Sequence, residues 1–285
     1  VFGSAFHKFS EYYYKTDGDF PTSLFAAQEY FETAEKEEPG SRNAYLDAIY
    51  LAKLCQRWPK VLKETRGFYD LEIQRNPKDN VPLVEQKFAI PLFKSAPTDT
   101  QDIEILLTGT MDGIYKVRGS GLPVIGDIKT TSATNVRGYF AGYDLSTQLL
   151  TYTYALRYIA SKYPEGYFGR LLQKAKMGAV ILGVFTHGSI KEPEFVTSDI
   201  KYYSDGDLME YERTLQRMVM RLVTHFQSGA ERPLKEGLVT GACQESYGSE
   251  CPYASACKAP GDRGFWGVLN SHYKVVEYNP LAFRD

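Results

Sequence analysis

Four cysteines in 285 residues are too few to build a disulfide scaffold. No apolar run reaches the length of a membrane span; the longest, "GAVILGVF" at 178–185, is the size of one strand. Neither sign of charge dominates, since 33 basic and 35 acidic residues leave a formal net charge of −2. That balance is silent about nucleic acid, because a binding groove needs only local positive potential. Internal repeats, low-complexity tracts and flexible linkers are absent, so nothing in the composition separates the chain into independent pieces. No signal peptide is visible, and an opening at Val1 without Met leaves processing open.

What remains is ordinary for a globular protein with a well-buried core: 43% hydrophobic and 24% charged residues, with 22 tyrosines as the one excess. Tyrosine buries a ring and keeps a polar tip, which suits half-buried surfaces and grooves. The first third reads as helical. "GSAFHKFSEYYYK" places Phe6, Phe9 and Tyr13 at helical spacing, and residues 41–64 carry two adjoining apolar stripes behind a possible Ser41 cap. "AEKEEPG", between those helices, reads as a solvated turn. From Gly67 the period changes to that of strands, with segments 67–74, 81–90, 103–117 and 122–131 separated by turn residues. A helix over 143–164, strands near 179–188 and 194–203, and a long helix over 206–229 follow. This order predicts one α/β domain with a mixed sheet: a helical N-terminal region over 1–66, a core over 67–230 and a cysteine-containing tail over 231–285.

The chemistry gathers at one expected hairpin. In "PVIGDIKTTS", Asp127 and Lys129 are two apart, hence on one face of a strand. Taken alone, they are a salt bridge on a solvated sheet. A turn centred on Gly119-Ser120, with Gly in the first central place of a type II′ turn, puts Asp112 directly opposite Asp127. Facing carboxylates about 5 Å apart destabilise a hairpin unless a cation sits between them; chance opposition in a solvated hairpin is the alternative. Carboxylate oxygens suit Mg²⁺ or Mn²⁺. Lys129 would then orient or help deprotonate an attacking water and offset transition-state charge on a phosphodiester.

These residues resemble the PD-(D/E)xK nuclease superfamily, in particular its RecB-type exonuclease branch. Four motifs occur in that family's order: G-x-x-x-H as "GSAFH" (Gly3, His7), G-x-x-D as "GTMD" (Gly109, Asp112), D-x-K as "DIK" (Asp127, Lys129), and Q-x-x-x-Y as "QLLTY" (Gln148, Tyr152). The resemblance implies a lambda-exonuclease-like (restriction-endonuclease-like) core. It implies a metal held by His7, Asp112, Asp127 and the backbone carbonyl of Ile128, with the imidazole favouring Mn²⁺ and abundance favouring Mg²⁺. Gln148 and Tyr152, four apart on a helix, would contact DNA or the catalytic residues. Glu85 resembles a glutamate found on the strand before G-x-x-D, in a supporting place at most. The expected activity is hydrolysis of DNA by an exonuclease or end-processing enzyme, through in-line attack of water without a covalent enzyme intermediate. It would work in the cytoplasm of a bacterial or phage-infected cell, on linear ends or single strands, with a helicase or recombination partner and no membrane. An endonuclease on the same core, or an idle DNA-binding module, are the alternatives.

Two further stretches bear on partners. Cys243, Cys251 and Cys257 are spaced C-x7-C-P-x4-C, which argues for a metal or cluster over disulfides. They resemble the [4Fe–4S] staple of AddB-type subunits and CRISPR-adaptation exonucleases, although the usual C-x2-C is missing, Gly248 standing in its place. A fourth ligand would precede Gly3, or be Cys55, whose place inside a helix suits a buried thiol better. Zinc and inert thiols stay open. Arg157, Lys162, Arg170, Lys174 and Lys176, with Tyr158, Tyr163, Tyr167 and Phe168 among them, could follow a DNA backbone and stack on unpaired bases. A solvated helix end with inward tyrosines is the plainer reading.

Overall fold

The computed structural model describes residues 2–37, 44–64, 71–95, 103–141, 143, 147–174, 176–186, 193–228, 263, 266–268 and 271. Three helices come first: α1 (Phe2–Lys15), α2 (Phe20–Glu37) and α3 (Ala44–Glu64). The turn expected over "AEKEEPG" begins too early, because α2 runs on through Glu37. The break that the periodicity misses lies between α1 and α2. There Asp17 and Gly18 take positive φ, and Asp19 caps α2 by accepting from the Thr22 N–H and hydroxyl. Ser41 lies outside the described residues.

The strands are β1 (Leu71–Ile73), β2 (Val84–Lys94), β3 (Glu104–Val117), β4 (Pro123–Thr131), β5 (Gly178–Phe185) and β6 (Glu194–Thr197). They form one mixed sheet in the order β1-β3-β4-β5-β6, with β2 also paired to β3. β4 and β5 are parallel, joined through α4 (Val136–Ala141), α5 (Thr147–Lys162) and α6 (Tyr167–Lys174), while β1–β3, β3–β4 and β5–β6 are antiparallel. β5 is buried along its whole length, which explains its unbroken apolar sequence.

The β3–β4 register runs Gly113↔Gly126 to Lys116↔Pro123, the one implied by a bend centred on Gly119-Ser120. The loop itself is four residues, not two. Val117 and Leu122 close it, the Gly121 N–H bonds the Val117 carbonyl, and Gly119 and Gly121 both take positive φ. The centre is unchanged, so the register survives the longer loop.

Alternation along the strands separates two faces. Val124 and Ile128 of β4, with Val180, Leu182 and Val184 of β5, meet Phe6 and Phe9 of α1, Phe31 of α2, and Leu51, Leu54 and Trp58 of α3 in the main core. Each such side chain, fully buried, contributes about 1.5–3 kcal/mol. Ile125, Asp127 and Lys129 alternate onto the opposite face, where α5 buries Leu149, Tyr152, Ala155 and Leu156.

Contacts divide the chain into two compact units, Val1–Ile90 with Gly109–Tyr211, and Pro91–Thr108 with Glu212–Asp285. The first holds His7, Glu85, Asp112, Asp127, Lys129, Gln148 and Tyr152. The second contains the hairpin joining β2 to β3, where the Ser95 N–H bonds the Ile103 carbonyl, and most of α7 (Asp205–Gln227). No described helix is long and apolar enough to cross a membrane.

Candidate metal centre

His7 comes from the middle of α1, and its position depends on how closely that helix approaches β4. A Cβ on Gly3 would lie 2.6 Å from the Thr130 hydroxyl oxygen, so the glycine permits the approach. One turn along, His7 Nδ1 stands 3.4 Å from Asp112 Oδ2. Asp112 lies one step beyond the Gly113↔Gly126 pair, and its Oδ2 accepts the Ile128 N–H at 2.7 Å. The carboxylate is thereby tied to β4 just where Asp127 begins the acidic face. Ile128 thus gives its N–H to Asp112 and its side chain to the core.

Asp127 is fully buried. Lys129 Nζ stands 2.8 Å from its Oδ2 as an ion pair, but neither carboxylate oxygen accepts a hydrogen bond of good geometry. A buried carboxylate in that condition is costly unless a cation completes it.

Glu85 is the residue the sequence undervalues. Nitrogen and oxygen donors of His7, Glu85 and Asp112 all lie within 4.8 Å of one another. Opposite ligands of one Mg²⁺ stand about 4.2 Å apart, so this donor set fits a divalent cation with small adjustment. Glu85 has φ 48°, uncommon for any residue but glycine and more so in a strand. It follows the point where β3 passes from β1 to β2, marked by bonds from the Gln74 N–H to Ile114 and from the Ile114 N–H to Leu83. Strain of this kind concentrates at functional sites.

The charges respond to one another. Burial, then the charges of Asp112 and Glu11, push the Glu85 carboxyl up to about 7. Burial and Asp112 likewise raise Asp127 to about 6, against the pull of Lys129 and His7. Burial disfavours the Lys129 ammonium, yet the Asp127 charge and contact outweigh it and hold the pKa above its ordinary value. Lys129 is therefore an ammonium at neutral pH, a source of positive charge and hydrogen-bond donors rather than a base. For His7, burial lowers the pKa, but contact with Asp112 prevails and raises it.

Gln148 and Tyr152 meet as their helical spacing requires, the Gln148 amide donating to the Tyr152 hydroxyl at 2.7 Å. Burial, then the charge of Asp127, raises the Tyr152 phenol well above its usual range. Phe88 packs edge-on against its ring at 6.2 Å. Gly109 makes room for that contact, since a Cβ there would lie 2.6 Å from the Phe88 ring.

The basic stretch is less available than its composition implies. Arg157 pairs with Asp205, Arg170 bonds the Glu165 carbonyl, and the Tyr167 hydroxyl donates to Gln74. Lys162 lies 5.9 Å from the ring centres of Tyr158 and Tyr163, the latter well exposed. Phe168 meets Tyr167 edge-on, Lys176 is exposed, and the Lys174 side chain lies outside the described residues. Cys243, Cys251 and Cys257 also lie outside them. Cys55 is a core residue of α3 whose thiol burial pushes well up, away from the thiolate that ligation needs. No protein-family model matches the chain and no curated protein does either, so its own residues must carry the functional reading.

Proposed function

We propose that the chain is a divalent-metal-dependent deoxyribonuclease with a lambda-exonuclease-like core of the RecB type, acting on DNA ends or single strands. The observation that carries the reading is the convergence of His7, Glu85 and Asp112 beside the buried Asp127–Lys129 pair. His7, Glu85 and Asp112 would hold Mg²⁺ or Mn²⁺, while Asp127, expected from the sequence to share the ion with Asp112, stands outside that donor group and would act beside it through its pair with Lys129. When bound, such an ion polarises a phosphoryl oxygen and makes water a better nucleophile at neutral pH. Asp112 keeps its carboxylate aimed by accepting from Ile128, and His7 is aimed in turn by Asp112. Lys129 presents an ammonium where negative charge grows on the phosphate. Tyr152, locked by Gln148, positions the strand beside the acids. A [4Fe–4S] cluster on Cys243, Cys251 and Cys257 belongs to the same reading and rests on their resemblance to the RecB-type staple.

The test is digestion of end-labelled linear and closed circular DNA with Mn²⁺, Mg²⁺ or chelator, beside Asp127→Ala and Lys129→Ala. Loss of linear DNA alone, abolished by chelator and reduced about 100-fold or more in both variants, is expected. Nicked circles would identify an endonuclease, and metal-dependent binding without cleavage an idle module. Cleavage that survives both substitutions overturns the assignment.

A further inference from the structure

A cavity of about 550 Å³ opens between α4, the start of α5 and the β5–β6 side of the sheet. It shares the face that carries Asp127 and Lys129. Ile181 in its lining is the in-register neighbour of Asp127, and Gly183 is that of Lys129. Adjacent strands lie about 4.8 Å apart, so the cavity begins one strand away from the acid–lysine pair. Phe140 forms one wall. Gly183 leaves space for it, since a Cβ there would stand 2.9 Å from the Phe140 ring. Phe185 braces that ring edge-on at 5.8 Å. Tyr143, hydrogen-bonded to Tyr139 at 3.1 Å, also lines the cavity and lies within electrostatic reach of Lys129. Arg137 and Lys201 bring positive charge to the lining and Asp199 one negative charge, and Ser198 accepts from the Ile181 N–H and donates to the Asp199 carbonyl.

Cleaving a phosphodiester at the acidic cluster requires none of this. We propose that the cavity is a nucleotide subsite, receiving the base and sugar next to the scissile phosphate from an unpaired strand. The inference rests on the nuclease reading for its catalytic meaning, and adds to it the pocket that would select an unpaired strand over a duplex. The volume is in the range of small-ligand pockets. Aromatic and aliphatic walls suit the face of any base, and the cations suit its phosphates. A base stacked within a duplex cannot enter without being extracted, so single strands and frayed ends are favoured over intact duplex.

Two measurements test this. The first is titration of the metal-free full chain, in chelator, with thymidine 5′-monophosphate, deoxyribose 5-phosphate or inorganic phosphate, followed by NMR. Thymidine monophosphate should bind about tenfold or more tighter than the sugar phosphate, because only it stacks. Ala141→Trp, at an exposed position on the cavity lining, should abolish that preference, and Arg137→Ala should weaken both phosphates alike. Far-UV circular dichroism checks that each variant is folded. The second is cleavage of single-stranded oligonucleotides containing one abasic position, in Mn²⁺, which should slow about tenfold or more at that position. Equal binding of the two sugar phosphates, insensitive to Ala141→Trp, overturns the subsite. So does unslowed cleavage at the abasic position, and that result leaves the nuclease assignment intact. Absence of all cleavage, with thymidine monophosphate still bound and displaced by Ala141→Trp, removes the nuclease assignment and upholds the binding site.

Discussion

Replacing Glu85 by Gln is expected to make the metal-free protein more stable at pH 8 while weakening its hold on a cation. The carboxyl is half-buried beside Asp112 and within reach of the Glu11 charge, so its pKa rises from an ordinary 4.5 to about 7. At about 1.4 kcal/mol per pH unit, that rise is worth roughly 3 kcal/mol. Partial contact with water reduces the figure to about 2 kcal/mol. Below pH 4.5 the group is protonated in folded and unfolded chains alike, and costs nothing. Between 4.5 and about 7 the unfolded chain ionises first, so stability falls as pH rises, and the penalty is complete above 7. Gln keeps the size and the backbone but cannot ionise. The assay is urea unfolding in chelator at pH 5 and pH 8. The two proteins should agree within about 1 kcal/mol at pH 5, and the variant should be about 2 kcal/mol more stable at pH 8. Saturating Mn²⁺ should then reverse the order, because a cation at a hundred times its Kd adds about 2.7 kcal/mol to the protein that binds it. A variant no more stable than the parent at pH 8 without metal would refute the crowded acidic site.

Mn²⁺ affinity should climb as pH passes through 6 and 7, where Asp127 and Glu85 lose their protons, by up to about tenfold per pH unit for each proton released. Titration calorimetry at pH 5.5 and 7.5 measures this, and a pH-independent affinity would contradict the ligand set. Gly109→Ala should cost about 1–3 kcal/mol by forcing the Phe88 ring off Tyr152, and Phe88→Leu in the same chain should recover most of it. Unfolding of the two variants that are equally unstable would remove Phe88 from the argument. Tyr152→Phe should lower stability by about 0.5–1.5 kcal/mol through loss of the Gln148 hydrogen bond, and slow DNA cleavage without changing Mn²⁺ affinity. A matching loss of metal affinity would move Tyr152 from strand positioning to metal support.

Much of the candidate site follows from local rules. The Asp127–Lys129 spacing puts both side chains on one strand face, and the Gly119-Ser120 bend sets which residues of β3 and β4 oppose each other. Helical spacing joins Gln148 to Tyr152. Each relation is spanned by a short, regular stretch of backbone, so periodicity is enough to read it. The break between α1 and α2 is less legible, because Asp17, Gly18 and Asp19 form a tight reversal inside a nearly continuous helical pattern. The two short helices α4 and α6 escape a reading by period, since six and eight residues hold too few turns for one to show.

By itself, then, the sequence determined the strand faces, the hairpin register and the identity of the acid–lysine pair, all properties of neighbouring backbone. Only the tertiary structure decided that Glu85 stands with His7 and Asp112, and that a cavity begins one strand from Asp127. Glu85 reaches the cluster through a left-handed backbone step where β3 changes partner, and His7 through the approach of α1 to Thr130. Those placements come from packing between segments far apart in the chain, which no local period encodes.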